Sequence, residues 1–271
     1  MIILTPLRRF EVPVQAACIS PDVFQGKSMA EIAGLPLTEG NMQLQLCDLF
    51  KIEETAAETP NITINGDVSK VKRIGEGMKA GEIVINGDVG MHTGEKMHGG
   101  KITVNGNADG WTGSQMKGGI IEIHGNANDY LATPYRGSDT GMRGGVIIVD
   151  GNVGSDSACY MRGGVIKIKG NAGRFLGYHM SDGTIYVEKQ CQYRLAPCMT
   201  GGKIVIAGAL EEVMPTFTID SVKPKTKIDD TQTVQGPFYV FLGDLAEHGS
   251  GKLFISKPNN PQLKDIYEKY L

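Results

Sequence analysis

The chain has 271 residues, enough for one large domain or two modest ones around a substantial core. Its formal charge of −3, with both signs interspersed, lacks the basic field of a nucleic-acid binder. No stretch approaches the roughly eighteen apolar residues of a membrane-spanning helix.

The opening M-I-I-L-T-P-L-R-R-F has no long apolar run and no small-residue cleavage site, so it does not read as a signal peptide. Met1 to Pro6 reads as a strand. Ser28-Met29-Ala30-Glu31 is a capping box that opens a short helix ending near Gly34-Leu35-Pro36. Asn41 to Ile52 looks strand-like, with Leu44, Leu46 and Leu49 available for packing. The cysteines Cys18, Cys47, Cys159, Cys191 and Cys198 are odd in number and lack framework spacing, which points to a reducing cytoplasm.

From about residue 61 the chain repeats. Met78, Met97, Met116, Met142, Met161, Met180 and Met199 stand 19 residues apart, save one interval of 26. Gly66, Gly87, Gly106, Gly125, Gly151 and Gly170 follow nearly the same beat, which makes them structural turns, with glycine supplying positive φ. Asp or Asn follows each of them and suits a left-handed corner. The 37 glycines, roughly twice the ordinary share, sit mostly in this region.

Each unit holds one triplet of strand character, such as Ile102-Thr103-Val104 or Ile166-Lys167-Ile168. Its outer members are Ile or Val and face a core, while the middle one faces out. Nineteen residues are too few for a helix pair but suit three short faces joined by tight corners. The expected fold is therefore all-β: a right-handed parallel β-helix of about seven to eight coils over residues 61–209. Residues 1–60 and 210–271 flank it and cap its open ends. Small residues three places before each methionine (Gly75, Gly94, Gly113, Ala158, Gly177, Ala196) mark a crowded turn, with Asp139 as the exception. Beyond Gly208 the beat ends in a Pro-marked irregular tail, with Phe238 to Leu242 as a strand and Pro261 to Leu271 as a terminal helix.

No catalytic constellation, cofactor-binding loop or metal-ligand spacing emerges. His92, His98, His124 and His179 fall on different columns of the repeat, and the glycine strings recur with no helix following, unlike a phosphate loop. The methionine column reads as an internal stack. The seven-residue insertion within Asn128 to Thr140 breaks the beat and carries Tyr130, Tyr135, Arg136 and Asp139, the candidate partner contact. Outward-facing Val84, Ile148, Tyr186 and Val205 argue for a covered face.

The unit G-x-x-M-x-G-G-x-I-x-[IV]-x-G-[ND]-[VA] resembles the glycine-rich β-helix of the glutamate synthase large subunit and of the formylmethanofuran dehydrogenase C subunit. The opening I-I-L-T-P, then P-D-V-F-Q-G-K-S at Pro21 to Ser28, then Leu49-Phe50, are similar to the archaeal C subunit. That resemblance implies a cytoplasmic methanogen complex that reduces CO2 and forms formylmethanofuran in the first step of methanogenesis. It further implies that the tungsten or molybdenum pterin, the iron–sulfur clusters and a dinuclear metal site belong to other subunits. This chain would bind no cofactor, nucleic acid or membrane. It would be a non-catalytic scaffold joining the pterin-metal, amidohydrolase and iron–sulfur subunits. The alternatives are a glutamate synthase-type β-helix subunit and the C subunit of a formyltransferase/hydrolase complex.

Overall fold

A computed structural model of the chain describes residues 1–57, 59 and 61–271. The triplets of the repeat are strands: Ile62–Asn65, Glu82–Asn86, Lys101–Val104, Ile120–Ile123, Val146–Val149, Arg162–Ile168, Asp182–Val187 and Lys203–Ile206. Each pairs in parallel with the equivalent strand of the next unit, residue for residue, as in Ile83↔Ile102 and Ile102↔Ile121. A second column pairs in parallel through Val68, Val89, Ala108, Ala127, Val153, Ala172, Cys191 and Leu210. Each 19-residue unit is therefore one tier of a stack. Cys191 takes an Ala place in that column and is fully buried.

The core follows from the alternation. Ile62, Ile64, Ile83, Ile85, Ile102 and Val104 are 0% exposed, and their outward neighbours Thr63, Val84 and Thr103 are half-exposed. All seven column methionines are also 0% exposed. Their place explains the M-x-G-G pattern. A side chain at Gly119 would meet the Met97 methyl at 2.7 Å, and one at Gly145 would meet that of Met116 at 2.7 Å. The second glycine of each pair thus leaves room for the methionine one tier before.

The corner glycines need a correction. Gly66 alone of the six has a left-handed backbone, at φ +131°; Gly87, Gly106, Gly125, Gly151 and Gly170 do not. What they need is space, because a Cβ on Gly125 would stand 2.5 Å from the Gly106 carbonyl oxygen. The Asp and Asn that follow are not left-handed either. They form a ladder between tiers instead. Asn107 N donates to Asp88 Oδ1 at 2.7 Å, Asn126 N to Asn107 Oδ1 at 2.9 Å, and Asn171 N to Asn152 Oδ1 at 2.8 Å.

Both flanks extend the sheet. Ile2–Pro6 pairs in parallel with Ile62–Asn65, and Phe50–Glu54 pairs antiparallel outside it. The Ser28 capping box forms, with Glu31 Oε2 accepting from Ser28 N at 2.7 Å. The segment expected to be one strand from Asn41 to Ile52 is divided: Met42–Gln45 and Phe50–Glu54 are strands, with a helical turn at Leu46–Leu49 between them. Gln45 and Asp48 form a local cap there that pulls the backbone out of extension.

The tail is more regular than expected. Gly251–Ser256 adds a parallel strand to Lys203–Ile206, and the hairpin of Thr218–Lys227 with Thr233–Gly243 continues the sheet antiparallel. Ile228 and Phe238 of this hairpin cover Tyr186 and Val205, two of the residues read as belonging to a covered face. Lys167 and Asp229 pair beneath it at 2.5 Å, which holds the Asp229 carboxyl well below its usual range.

Candidate partner-binding surface

The inserted loop sits on one corner of the stack with an unusual backbone. Arg73, His92, Trp111, Tyr130, Asp156, Phe175 and Arg194 stand one per tier, and all have φ between 55° and 67°. Left-handed backbone is uncommon outside glycine and Asn. Here pairing between tiers supports it: Arg73, His92, Tyr130 and Asp156 each donate their N–H to a carbonyl of the next tier at 2.9–3.1 Å. Two places on, Gly75, Gly94, Gly113, Ala132, Ala158, Gly177 and Ala196 are left-handed as well. Ala132, not Asp139, thus holds the crowded place in the inserted tier, and the extra residues follow it.

Side chains of the first column stack outside the core. His92 lies on Trp111 with ring centroids 5.5 Å apart, and Trp111 lies on Tyr130 at 4.6 Å. Tyr135 leans across both at 6.2 and 6.0 Å and is 60% exposed. Beyond the loop, Tyr160 stacks on His179 at 5.0 Å, with Tyr178 edge-on to both. Between these groups opens a cleft of about 430 Å³ lined by Trp111, Tyr130, Tyr135, Arg136, Tyr160 and Tyr178. Cys159 lies at its wall, and burial pushes its thiol up to about 12, so it is a neutral thiol there.

The loop is anchored at both ends. Thr133 Oγ1 donates to Asp156 O at 2.6 Å and accepts from Cys159 N at 3.0 Å. Gln115 Nε2 donates to Ser138 Oγ at 3.1 Å, and Arg162 Nη2 to Asp139 O at 2.9 Å. The four residues singled out in the sequence therefore share one loop region but differ in work. Tyr130 is part of the stack, Asp139 ties the loop to Arg162, and Tyr135 with Arg136 faces solvent. Trp111, His92, Tyr160, Tyr178 and His179 belong to the surface too. Testing the histidines only as metal ligands passes over them, although the 19-residue interval from Arg73 through His92 and Trp111 to Tyr130 is visible in the sequence.

On the other side of the loop, Arg73, His92, Glu95, Lys96 and Arg136 line a polar cleft of about 420 Å³. Glu95 is its hub. Its Oε2 lies 2.9 Å from Arg73 Nη1 and 3.0 Å from His92 Nδ1, and its Oε1 is 3.2 Å from Lys96 Nζ. Burial opposes the charged carboxylate, but the adjoining His92 ring and the Arg73 charge outweigh it and hold Glu95 below its ordinary 4.5. A depressed carboxyl stabilises the fold above its unfolded value, and that contribution is lost as pH falls through the folded one. Glu95→Gln is expected to cost about 1–2 kcal/mol at pH 7. The gap in urea midpoint between the two proteins should close as pH drops below about 4.5. A gap constant from pH 7 to 3 contradicts this role for the charge.

Among the described residues no group of three or more His, Cys, Asp or Glu side chains is placed to hold a metal ion. No described helix is long and apolar enough to cross a membrane.

No family model matches the chain. It is 50% identical over 258 residues to the C subunit of the tungsten-containing formylmethanofuran dehydrogenase 2 of Methanococcus maripaludis, covering 93% of this chain and 95% of that one. It is 48% identical over 89 residues to the C subunit of the molybdenum-containing formylmethanofuran dehydrogenase 1 of Methanothermobacter marburgensis; that match spans 33% of this chain and 22% of the relative. In structure it resembles a chain from the crystal structure of the formyltransferase/hydrolase complex of Methylorubrum extorquens in complex with methylofuran. The TM-score is 0.84 at 26% identity, over 94% of this chain and 99% of the other.

Proposed function

This chain belongs to the family of formylmethanofuran dehydrogenase C subunits, and on that premise we propose that it is a non-catalytic support within such a cytoplasmic oxidoreductase complex. The observation that carries this reading is half identity along nearly the full length of the tungsten-type relative. The stack is read as a right-handed parallel β-helix, a rigid spacer whose outer corners engage companions. Parallel pairing at two separate columns supports that reading. The tungsten or molybdenum pterin, the iron–sulfur clusters and the dinuclear amidohydrolase site are assigned to the companion subunits. This chain's own part is to hold those subunits in place.

The inserted loop is assigned to one such contact. Tyr135 offers an exposed aromatic ring, Arg136 a planar cation, and the cleft beside them an apolar seat rimmed by tyrosines. Aromatic and arginine side chains around a concave patch are the usual anchors of a protein interface. The double variant Tyr135→Ala/Arg136→Ala is expected to keep its thermal midpoint within about 2 °C, since surface changes rarely exceed about 0.5 kcal/mol. Its tagged form should recover companion subunits from native cells at least tenfold less well than the unaltered chain. Undiminished recovery removes this loop from the interface. A formyltransferase/hydrolase role is the second reading, favoured by the structural likeness to that complex. It predicts formyl transfer or hydrolysis, without CO2 reduction, in the purified assembly.

A further inference from the structure

Beside the inserted loop runs a row of basic side chains of which only Arg162, the anchor of Asp139, has a part in the foregoing. Lys79, His98, Lys117, Arg143 and Arg162 each follow a column methionine by one residue, and all five are exposed. Their register is fixed by the backbone. The N–H groups of His98, Lys117, Arg143 and Arg162 donate at 2.7, 2.8, 2.7 and 2.7 Å to the methionine carbonyl one tier before. The row therefore has one rung per tier, about 4.8 Å apart, and spans about 19 Å. Next to it each tier contributes two residues with little or no side chain: Ala80-Gly81, Gly99-Gly100, Gly118-Gly119, Gly144-Gly145 and Gly163-Gly164. The row thus borders a backbone floor that is bare from Gly99-Gly100 to Gly163-Gly164, while Pro21 packs against Gly81 in the first tier.

Its charges are largely uncompensated. Arg162 is held by Asp139, and Lys117 Nζ lies 3.4 Å from His98 Nε2. Among the described residues no carboxylate lies within 4.0 Å of the side-chain nitrogens of Lys79, Lys117 or Arg143. Asp22, which reaches Lys79, accepts from its backbone amide instead, at 2.7 Å. Like charges repeated along a ladder repel one another. The sequence keeps Lys or Arg at four of these five tiers although the chain as a whole carries a charge of −3.

The geometry points to a docking strip for an acidic α-helix of a partner polypeptide, laid along the stack on the bare floor with its carboxylates over the basic row. The assignment rests on the scaffold reading and names the chemistry of one partner. An α-helix with carboxylates alternately three and four residues apart presents about one per 5.4 Å turn. The mismatch with the rungs is about 0.6 Å per step, within the swing of Lys and Arg side chains. An extended acidic strand would present same-face side chains about 6.7 Å apart and fall out of step by nearly 2 Å per rung. Because the floor glycines leave backbone uncovered by side chains on the outer face, a helix, about 10 Å wide, has a place to lie close to it. A polyphosphate is disfavoured because the net negative charge lacks the long-range field that nucleic-acid binding uses.

Two measurements test it on the full-length chain. The first follows, by fluorescence anisotropy, a labelled helical peptide of Glu-Ala-Ala-Glu-Ala-Ala-Ala repeats about six turns long. Binding is expected to weaken with salt and to fall at least tenfold in Lys117→Glu/Arg143→Glu, while the Gln-for-Glu peptide does not bind. The neutral pair Lys117→Gln/Arg143→Gln should give an intermediate loss, and circular dichroism should show both variants folded. No binding, equal binding by the charge-reversed chain, or tighter binding of a uridine 20-mer overturns the proposal. The second recovers tagged wild-type and charge-reversed chains from native cells. Companions kept by wild type and lost by the variant support the strip. Companions kept equally by both overturn the strip and leave the scaffold reading standing, whereas a wild-type chain recovered alone removes the scaffold reading itself.

Discussion

Replacing Gly106 with valine is expected to destabilise the protein by about 3–5 kcal/mol, a fall in thermal midpoint of about 6–20 °C. Backbone conformation is not the reason, since Gly106 does not have a left-handed φ. A Cβ placed there would lie 2.5 Å from Asp88 Oδ1 and 2.6 Å from both the carbonyl carbon and oxygen of Gly87. Those atoms cannot give way, because parallel pairing on either side fixes the distance between tiers. Gly77 supplies the contrast. It has φ +65° and no atom within 4 Å of a would-be Cβ, so Gly77→Ala carries only the left-handed penalty of about 1–2 kcal/mol. Gly106→Ala should therefore be the more damaging of the two alanine changes. If Gly77→Ala proves worse, or Gly106→Val leaves the midpoint unmoved, close stacking of the tiers is the wrong account.

Asn260→Ala is expected to cost about 3 kcal/mol, because its side chain satisfies three backbone groups at once, two of the bonds being buried. Asn260 is 0% exposed. Its Oδ1 accepts from Leu210 N at 2.8 Å, and its Nδ2 donates to Gly208 O at 3.0 Å and Ser256 O at 2.7 Å. These bonds tie the last tier of the repeat to the segment that closes the sheet. Alanine would leave the Leu210 amide and the Ser256 carbonyl unpaired away from water, and would free the partly exposed Gly208 carbonyl. Limited proteolysis with urea unfolding should find cleavage after residue 210 accelerated and the midpoint lowered. Asn260→Asp should be no milder, since it keeps the acceptor but loses both donors. Wild-type protease resistance in the alanine variant would contradict the role assigned to this hub.

The repeat was legible because one periodicity sets both sequence and packing. Outer residues of each triplet are buried, methionines stack inside, and the glycine pairs make room for them. Physical reasons account for what was not legible. Pro224 and Pro237 read as breakers, yet both lie within strands of the C-terminal hairpin. Thr218–Lys227 is an edge strand, and its register shifts between Lys223 and Lys225, where a missing N–H is tolerated. Tyr186 and Val205 signalled a covered face, but the cover arrives from a segment with no periodicity of its own. The corner bearing the aromatic stack was hidden because, Asp156 apart, its left-handed positions hold Arg, His, Trp, Tyr and Phe, residues that carry no local turn signal. Pairing between tiers imposes that conformation, and no short-range rule reports it.

The proposed role of this chain is to support metal-bearing companions. Gentle purification of the tagged chain from its native cell, with companions identified by mass spectrometry and tungsten and molybdenum assayed in the same fraction, tests it most directly. The expected result is one assembly holding this chain, pterin-metal and amidohydrolase subunits, and tungsten or molybdenum. A lone homo-oligomer free of both metals would contradict it.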